Sequence, residues 1–182
     1  MITVTDLSLS YSGTPLFSHV DLQFLRGNCY GIIGANGAGK STFLKILSGD
    51  LDSTSGEVSI LPNTRMSVLK QDQNAYDAYN VMDTVIMGNQ RLYDIGKQKE
   101  ALYAKEEMTD EDGMLACQLE EEYAELGGWE AESDASRILQ GLGIGTELHY
   151  NDMATLDARL KVKVLLAQAL FGNPDLLMMD EP

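Results

Sequence analysis

The nine residues Gly34-Ala35-Asn36-Gly37-Ala38-Gly39-Lys40-Ser41-Thr42 have the types and order needed to hold a phosphate chain. They fit the pattern G-x-x-x-x-G-K-[ST] and follow the apolar run Cys29-Tyr30-Gly31-Ile32-Ile33, so the spacing predicts a strand, a loop and a helix in succession. Gly37 and Gly39 let backbone N–H groups turn inward without Cβ clashes. Lys40 brings a point charge toward β- and γ-phosphates, and the Ser41 hydroxyl suits Mg²⁺. The run Thr42-Phe43-Leu44-Lys45-Ile46-Leu47 opens a helix whose N-terminal dipole favours an anion. A second chemical pair lies at the other end of the chain. There the apolar run Leu176-Leu177-Met178-Met179 delivers Asp180 and Glu181 at the end of a buried, parallel-type strand. Asp180 would hold Mg²⁺, and Glu181 would orient or deprotonate an attacking water. A strand ending in two solvated acids explains that pair as well when it is taken alone. Its coincidence with Gly34–Ser41 favours the catalytic reading.

The elements that must position these groups follow from periodicity. Ile2, Val4, Leu7 and Leu9 interleave with Thr, Ser and Asp as a half-buried strand over 2–11. A turn at Ser12-Gly13-Thr14-Pro15 leads to a second strand through Val20–Phe24, and Gly27-Asn28 turns the chain into the run that feeds the phosphate loop. Short strands are expected near Val58–Ile60 and Met66–Leu69. From about Val81 to Gln140 the texture is helical. Leu92, Ile95, Leu102 and Tyr103 form one expected stripe, and Leu115, Leu119, Tyr123 and Leu126 a second, narrow seam. Thr109 reads as an N-cap before Asp110-Glu111-Asp112. Two helices joined near Lys105–Thr109 make an αα-hairpin, although two ordinary core helices fit the periodicity equally well. Residues 160–170 suit a further helix that Gly172-Asn173-Pro174 ends.

At 182 residues the chain is long enough for one sizeable domain, or one with an inserted piece. Its net charge is −15, and ten of those charges lie between Gly88 and Ala135, where fourteen carboxylates face four cations. A generic basic nucleic-acid face is therefore excluded. Cys29 and Cys117 lack metal-ligand spacing and read as reduced thiols. The N-terminus has no secretory pattern, and no stretch approaches the roughly 18 apolar residues of a membrane span. A cytoplasmic location is the expectation.

With the phosphate loop, Gln71 in Val68-Leu69-Lys70-Gln71-Asp72, and Asn173-Pro174-Asp175…Asp180-Glu181-Pro182, the chain resembles the ATP-binding cassette superfamily along nearly its whole length. The resemblance implies an α/β fold of the P-loop NTPase type, with an antiparallel β-subdomain, an inserted helical arm and the C-terminal part of the core missing. It implies three regions: 1–80, the β-subdomain and P-loop core; 81–140, the helical subdomain with the arm-like hairpin; and 141–182, the signature-region helix and the strand of the acidic pair. ATP and Mg²⁺ are the implied cofactors. Tyr11, 23 residues before Gly34, sits where cassettes place an aromatic against adenine. Gly34, Asn36, Gly37, Ala38, Gly39, Lys40, Ser41 and Thr42 would hold the phosphates. Ser41, Gln71 and Asp180 would serve Mg²⁺, and Glu181 catalysis.

The 85 residues from Gln71 to Leu156 exceed a transporter cassette's helical subdomain by about one αα-hairpin. The extra length is similar to the arm of the ABC-F group, whose members carry two cassettes on one chain, have no membrane domain and in several cases act on ribosomes. The implied partners are a second cassette and the ribosome with its tRNA. Because the segment carries a net −10, any RNA contact would come from a few residues: Arg91, Lys97, Lys99 and Lys105. A membrane-transporter ATPase subunit and a non-catalytic remnant are the alternatives. Two departures bear on the remnant. Where cassettes carry Leu-Ser-Gly-Gly, this chain has Leu156-Asp157-Ala158-Arg159, so that half-site is expected to be degenerate unless Arg159 itself reaches phosphate. The switch histidine and second cassette are also not within these residues. In this architecture a strand following the acidic pair lies between that strand and the phosphate-loop strand. Without it both edges are expected to be open, and the isolated chain to be unstable or to pair with another.

Overall fold

The computed structural model describes residues 2–69 and 72–180. The chain divides into two compact units, one comprising the residues up to Val68 and those from Pro174 onward, the other Leu69–Asn173.

The first unit is built on an antiparallel sheet in the order β2-β1-β3: β1 (Ile2–Tyr11), β2 (Thr14–Phe24) and β3 (Ser55–Ile60). The alternation seen in the sequence is real but broken. Ile2 and Val4 face inward, then the register shifts before Leu7 and Leu9 resume the same face. Asp6, with φ of 48°, supplies the extra residue, and its carboxylate holds His19 of β2 at 2.6 Å, itself at φ of 52°. The bulge keeps all four apolar side chains in the core. They pack on Phe43, Ile46 and Leu47 of helix α1 (Lys40–Ser48), whose i, i+3, i+4 spacing gives one buried face. A two-stranded parallel sheet, β4 (Met66–Val68) with β5 (Leu176–Met178), adds Met178 to this core. The start of β5 is pinned by Asp175, whose carboxylate takes Arg26 at 2.6 Å and the Arg65 N–H, while the Asp175 and Leu176 N–H groups donate to the Arg65 carbonyl.

The strand expected over Cys29–Ile33 is not one. The run is irregular and exposed, Ile33 to 92%. Apolar composition alone does not make a strand; its N–H and C=O groups need a ladder partner. Among the described residues β4 and β5 pair only with each other, and no strand lies beside 29–33.

The second unit is helical: α2 (Val81–Ile86), α3 (Gln90–Tyr103), α4 (Asp110–Glu125), α5 (Ala131–Gly141) and α6 (Ala158–Leu170). α2, α5 and α6 share a core of Val81, Val85, Ala135, Leu139, Val164 and Ala167. α3 and α4 form the hairpin and close their own cluster of Ile95, Leu102, Ala116 and Leu119. Thr109 caps α4 in a reciprocal box with Asp112. The Lys105 ammonium, then the Thr109 N–H and hydroxyl, hold the Asp112 carboxyl down at about 2. The expected seams are each partly displaced. Tyr103, Leu115 and Leu126 point to solvent, and the inward row on α4 is Ala116, Leu119 and Tyr123. Tyr103 stays outside because its hydroxyl donates to Glu120 at 2.8 Å, which a burial in the apolar seam would forfeit.

Candidate functional site

The phosphate-type loop lies in the first unit, between the irregular run ending at Ile33 and α1. Ala38 N–H donates to Ala35 O at 3.1 Å, closing a turn at the loop's crown. Gly37 (φ 81°) and Gly39 (φ 90°) are both left-handed, which the sequence pattern required of them. Gly39 is the N-cap of α1 and provides no side chain to occupy the helix's first N–H groups, while its carbonyl takes the Phe43 N–H at 2.8 Å. Lys40 folds back over the loop, its ammonium donating to Gly34 O at 3.0 Å and Ala35 O at 3.1 Å. The cation thus sits inside the curve of the loop beside the start of α1, where two sources of positive potential coincide.

This loop forms one wall of a cleft of about 410 Å³ lined by Tyr11, Leu16, Asn36, Gly37, Gly39, Lys40, Ser41 and Thr42. Six of the eight residues read from the phosphate motif line it; Gly34 reaches it through its bond to Lys40, and Ala38 sits in the crown turn. Tyr11, 54% exposed at the end of β1, also lines the cleft. Leu16 was not foreseen. It follows the β1–β2 turn, and its side chain lies against Gly39 so closely that a Cβ there would meet Leu16 Cδ2 at 2.8 Å. Nothing in the local pattern marks it, because the β1–β2 hairpin is what folds it back onto the loop. Asp180 follows β5 by two residues and is half-buried. Gln71 and Glu181 lie outside the described residues.

Ser41, at the second position of α1, and the Asp180 carboxylate are hard oxygen donors of the kind Mg²⁺ takes. No group of three or more His, Cys, Asp or Glu among the described residues makes a separate metal site.

In the second unit, Leu156 is buried and Asp157 caps α6, its carboxylate accepting the Leu160 N–H at 2.9 Å. Ala158 and Arg159 are exposed. The carboxylate that replaces serine here is therefore committed to the helix start.

The four hairpin cations expected to be available for RNA are all engaged. Arg91 makes a two-pronged pair with Glu122 at 2.5 and 2.6 Å, holding that carboxyl below its usual range. Lys97 bonds Glu100 at 3.1 Å and faces Asp83 at 3.6 Å; Lys105 bonds Asp112 at 2.6 Å. Lys99, its side chain 10% exposed, bonds Glu120 at 2.8 Å beneath the rings of Tyr123 and Trp129, 3.9 and 4.3 Å away. These are internal fastenings of an acidic hairpin. No described helix is long and apolar enough to cross a membrane.

The uncharacterized ABC transporter ATP-binding protein YkpA of Bacillus subtilis (strain 168) is 54% identical over 182 residues, all of this chain and 34% of its own length. ABC transporter F family member 4 of Arabidopsis thaliana is 29% identical over 191 residues, again all of this chain and 25% of its own length. The chain therefore spans about a third of the one relative and a quarter of the other. Among solved structures, the dimeric post-hydrolysis state of an ATP-binding cassette bound to ADP and Pi matches with a TM-score of 0.69, covering 100% of this chain and 74% of that one. At 18% identity this likeness is one of fold: the P-loop NTPase cassette. The ABC transporter family model matches residues 17–182, and the chain belongs to that family.

Proposed function

We propose that this chain is the nucleotide-binding cassette of an ABC-F-type ATPase, binding MgATP in the cleft between Tyr11 and the Gly34–Thr42 loop. The observation that carries the reading is the convergence on one cleft of the left-handed glycines, the Lys40 ammonium bonded to the loop carbonyls, the uncapped start of α1 and an exposed tyrosine. The phosphates lie along the loop amides and Lys40, and the adenine against Tyr11 and Leu16. Ser41, Asp180 and Gln71 would hold Mg²⁺, which would screen the β- and γ-phosphate charge. Glu181 orients the water, and ATP and water give ADP and phosphate. Turnover takes place against a second cassette. The names of relatives, ATP-binding protein and F family member, support this assignment, as does the α3–α4 hairpin in the long interval after Gln71. Action on the ribosome, in the cytoplasm, is the part of the proposal that rests on ABC-F kinship alone. A full-length Glu181→Gln variant should hold MgATP without turnover and co-sediment with ribosomes in ATP but not without it. Equal sedimentation in both conditions, or none, refutes the ribosomal part.

One observation favours a second reading, a cassette that binds but does not turn over: the Asp157 carboxylate is bound at the head of α6 in place of a serine hydroxyl. Phosphate release by the full-length protein decides between the two.

A further inference from the structure

Asn36 is one of eight asparagines in the chain and the one that precedes a glycine. The others are followed by residues with side chains, among them Pro174, which has no N–H. Several also have their amides committed. Asn80 and Asn89 accept N–H groups at the starts of α2 and α3, and Asn74 accepts the ammonium of the buried Lys161 at 2.9 Å. Asn36 instead stands exposed at the crown of the phosphate-type loop and lines the cleft beside Gly37. Among the described residues neither its side-chain amide nor the Gly37 N–H has a hydrogen-bond partner. A Cβ placed on Gly37 would meet nothing within 4 Å, so the space beside its nitrogen is open.

An asparagine in this setting can react with its own backbone. The Gly37 nitrogen, once solvent base has taken its proton, attacks Asn36 Cγ. The N–Cγ bond forms, the Cγ–Nδ2 bond breaks and ammonia leaves, closing a five-membered succinimide. Water then opens the ring at one of its two carbonyls. One opening gives an aspartyl residue, the other an isoaspartyl residue whose main chain runs through Cβ and Cγ. Two features ordinarily slow the first step: a side chain that crowds the following nitrogen, and a backbone that holds the peptide away from Cγ. Gly37 has no side chain. As for the backbone, Ala38 N–H donates to Ala35 O at 3.1 Å, with Gly37 left-handed and Asn36 not, the pattern of a type II turn. Among the described residues that bond alone closes the turn, and glycine lets the peptide inside it rotate with little steric cost.

We propose that Asn36-Gly37 is a self-modification site: the empty loop converts Asn36 to isoaspartate or aspartate and thereby loses its nucleotide, and bound nucleotide prevents the conversion. Phosphates lying on the loop amides hold the Asn36–Gly37 peptide in place and keep solvent base from the Gly37 N–H. Conversion puts a carboxylate in the cleft next to Ala35, whose carbonyl takes the Lys40 ammonium at 3.1 Å. Negative charge then stands where the phosphates' own charge belongs. The isoaspartyl product also lengthens the loop by one main-chain carbon, which displaces the amides. The working life of the site is thus tied to its occupancy. This inference rests on the nucleotide reading of the cleft given under the proposed function, and its test separates the two.

The experiment incubates the full-length protein at mildly alkaline pH, empty and with a non-hydrolysable MgATP analogue, beside the same chain unfolded in urea. The tryptic peptide Gly27–Lys40 contains Asn36, and mass spectrometry follows the replacement of its side-chain NH2 by OH. Labelling by an isoaspartyl methyltransferase identifies the isoaspartyl product. In the empty folded protein Asn36 converts within about a hundredfold of its rate in urea, whereas reaction through global unfolding would be slower by ~10³ or more. Analogue at about ten times its Kd leaves roughly one molecule in eleven empty, so conversion slows about tenfold. The converted protein stays folded by circular dichroism but binds the analogue at least about tenfold more weakly. Asn36→Asp shows the weakened binding without incubation. Asn36→Gln, which would have to close a six-membered ring, keeps its starting affinity through the same incubation. Asn36 intact in the folded protein, or converting more than about a hundredfold slower than in urea, overturns the proposal. Conversion that bound analogue does not slow overturns it too, as does converted protein that binds like the native one. In each of these cases the nucleotide reading stands. A native protein that does not bind the analogue overturns both.

Discussion

Replacing Gly39 by alanine separates backbone strain from packing at the centre of the phosphate loop. Gly39 sits at φ 90°, ψ 14°, and a residue with a Cβ held in the left-handed region costs about 1–2 kcal/mol. The added Cβ would also lie 2.8 Å from Leu16 Cδ2 and 2.9 Å from Leu16 Cγ, well inside the ~3.5–4.0 Å of comfortable carbon contact. Leu16 is a side-chain end and yields, at about 0.5–1.5 kcal/mol for leaving its rotamer well. The total is about 2–3 kcal/mol, which appears as lost folding stability if the loop keeps its shape and as lost affinity if it relaxes. If all of it falls on binding, nucleotide affinity drops roughly 30- to 150-fold at about 1.4 kcal/mol per tenfold. Titration of a fluorescent MgATP analogue, with urea denaturation of the same protein, reads both shares. The double variant Leu16→Ala/Gly39→Ala removes the steric share and keeps the strain, so it recovers less than half of what Gly39→Ala loses relative to Leu16→Ala. A Gly39→Ala protein matching the native one in both affinity and stability refutes the assigned loop geometry.

Further outcomes follow from the helical unit. Asp157→Ala removes the N-cap of α6 and should destabilise by about 1 kcal/mol, whereas Asp157→Ser, which keeps a capping oxygen, should be close to neutral in the same denaturation series. Gly88→Ala would drive a Cβ to within 2.1 Å of the Gln168 carbonyl oxygen, which is backbone and cannot retreat; a loss of about 3 kcal/mol and a broadened melt of residues 69–173 are expected. The Asp112 carboxyl is lowered from 3.8 to about 2 by Lys105 and Thr109. The unfolded chain thus takes up its proton first, so this contribution is complete above pH 4 and fades as the pH falls toward 2. Hydrogen exchange at the head of α4 should accelerate through that window, and Asp112→Asn should abolish the pH dependence there.

Local signals were legible wherever local chemistry decides the outcome. The left-handed Gly37 and Gly39, the Thr109–Asp112 box, the stop at Gly172-Asn173-Pro174 and the inward Ile2, Val4, Leu7 and Leu9 each depend on neighbours a few residues away. What escaped depends on distant parts of the chain. The Cys29–Ile33 run has strand composition, but a strand exists only with a ladder beside it. Leu16 joins the cleft because a hairpin returns it to Gly39, and Tyr103 is held outward by Glu120 on the facing helix. The sequence gives no sign of the carboxylates that Arg91, Lys97, Lys99 and Lys105 pair with, 3 to 31 residues away. Lys161 carried no signal at all, since a lysine within a helix is ordinarily a solvated one.

The central claim is that Lys40 and its loop hold the phosphates of ATP. The most direct measurement is equilibrium titration of this chain with a fluorescent MgATP analogue, side by side with Lys40→Ala. Removing an ammonium that makes charge-assisted contacts worth about 1.5–3 kcal/mol should weaken binding roughly 10- to 150-fold while leaving the melting temperature nearly unchanged, because Lys40 reaches only two exposed loop carbonyls. Saturable binding to the native chain with that loss in the variant is the predicted result. Equal affinity in the two proteins, or no binding to the native chain, contradicts the account.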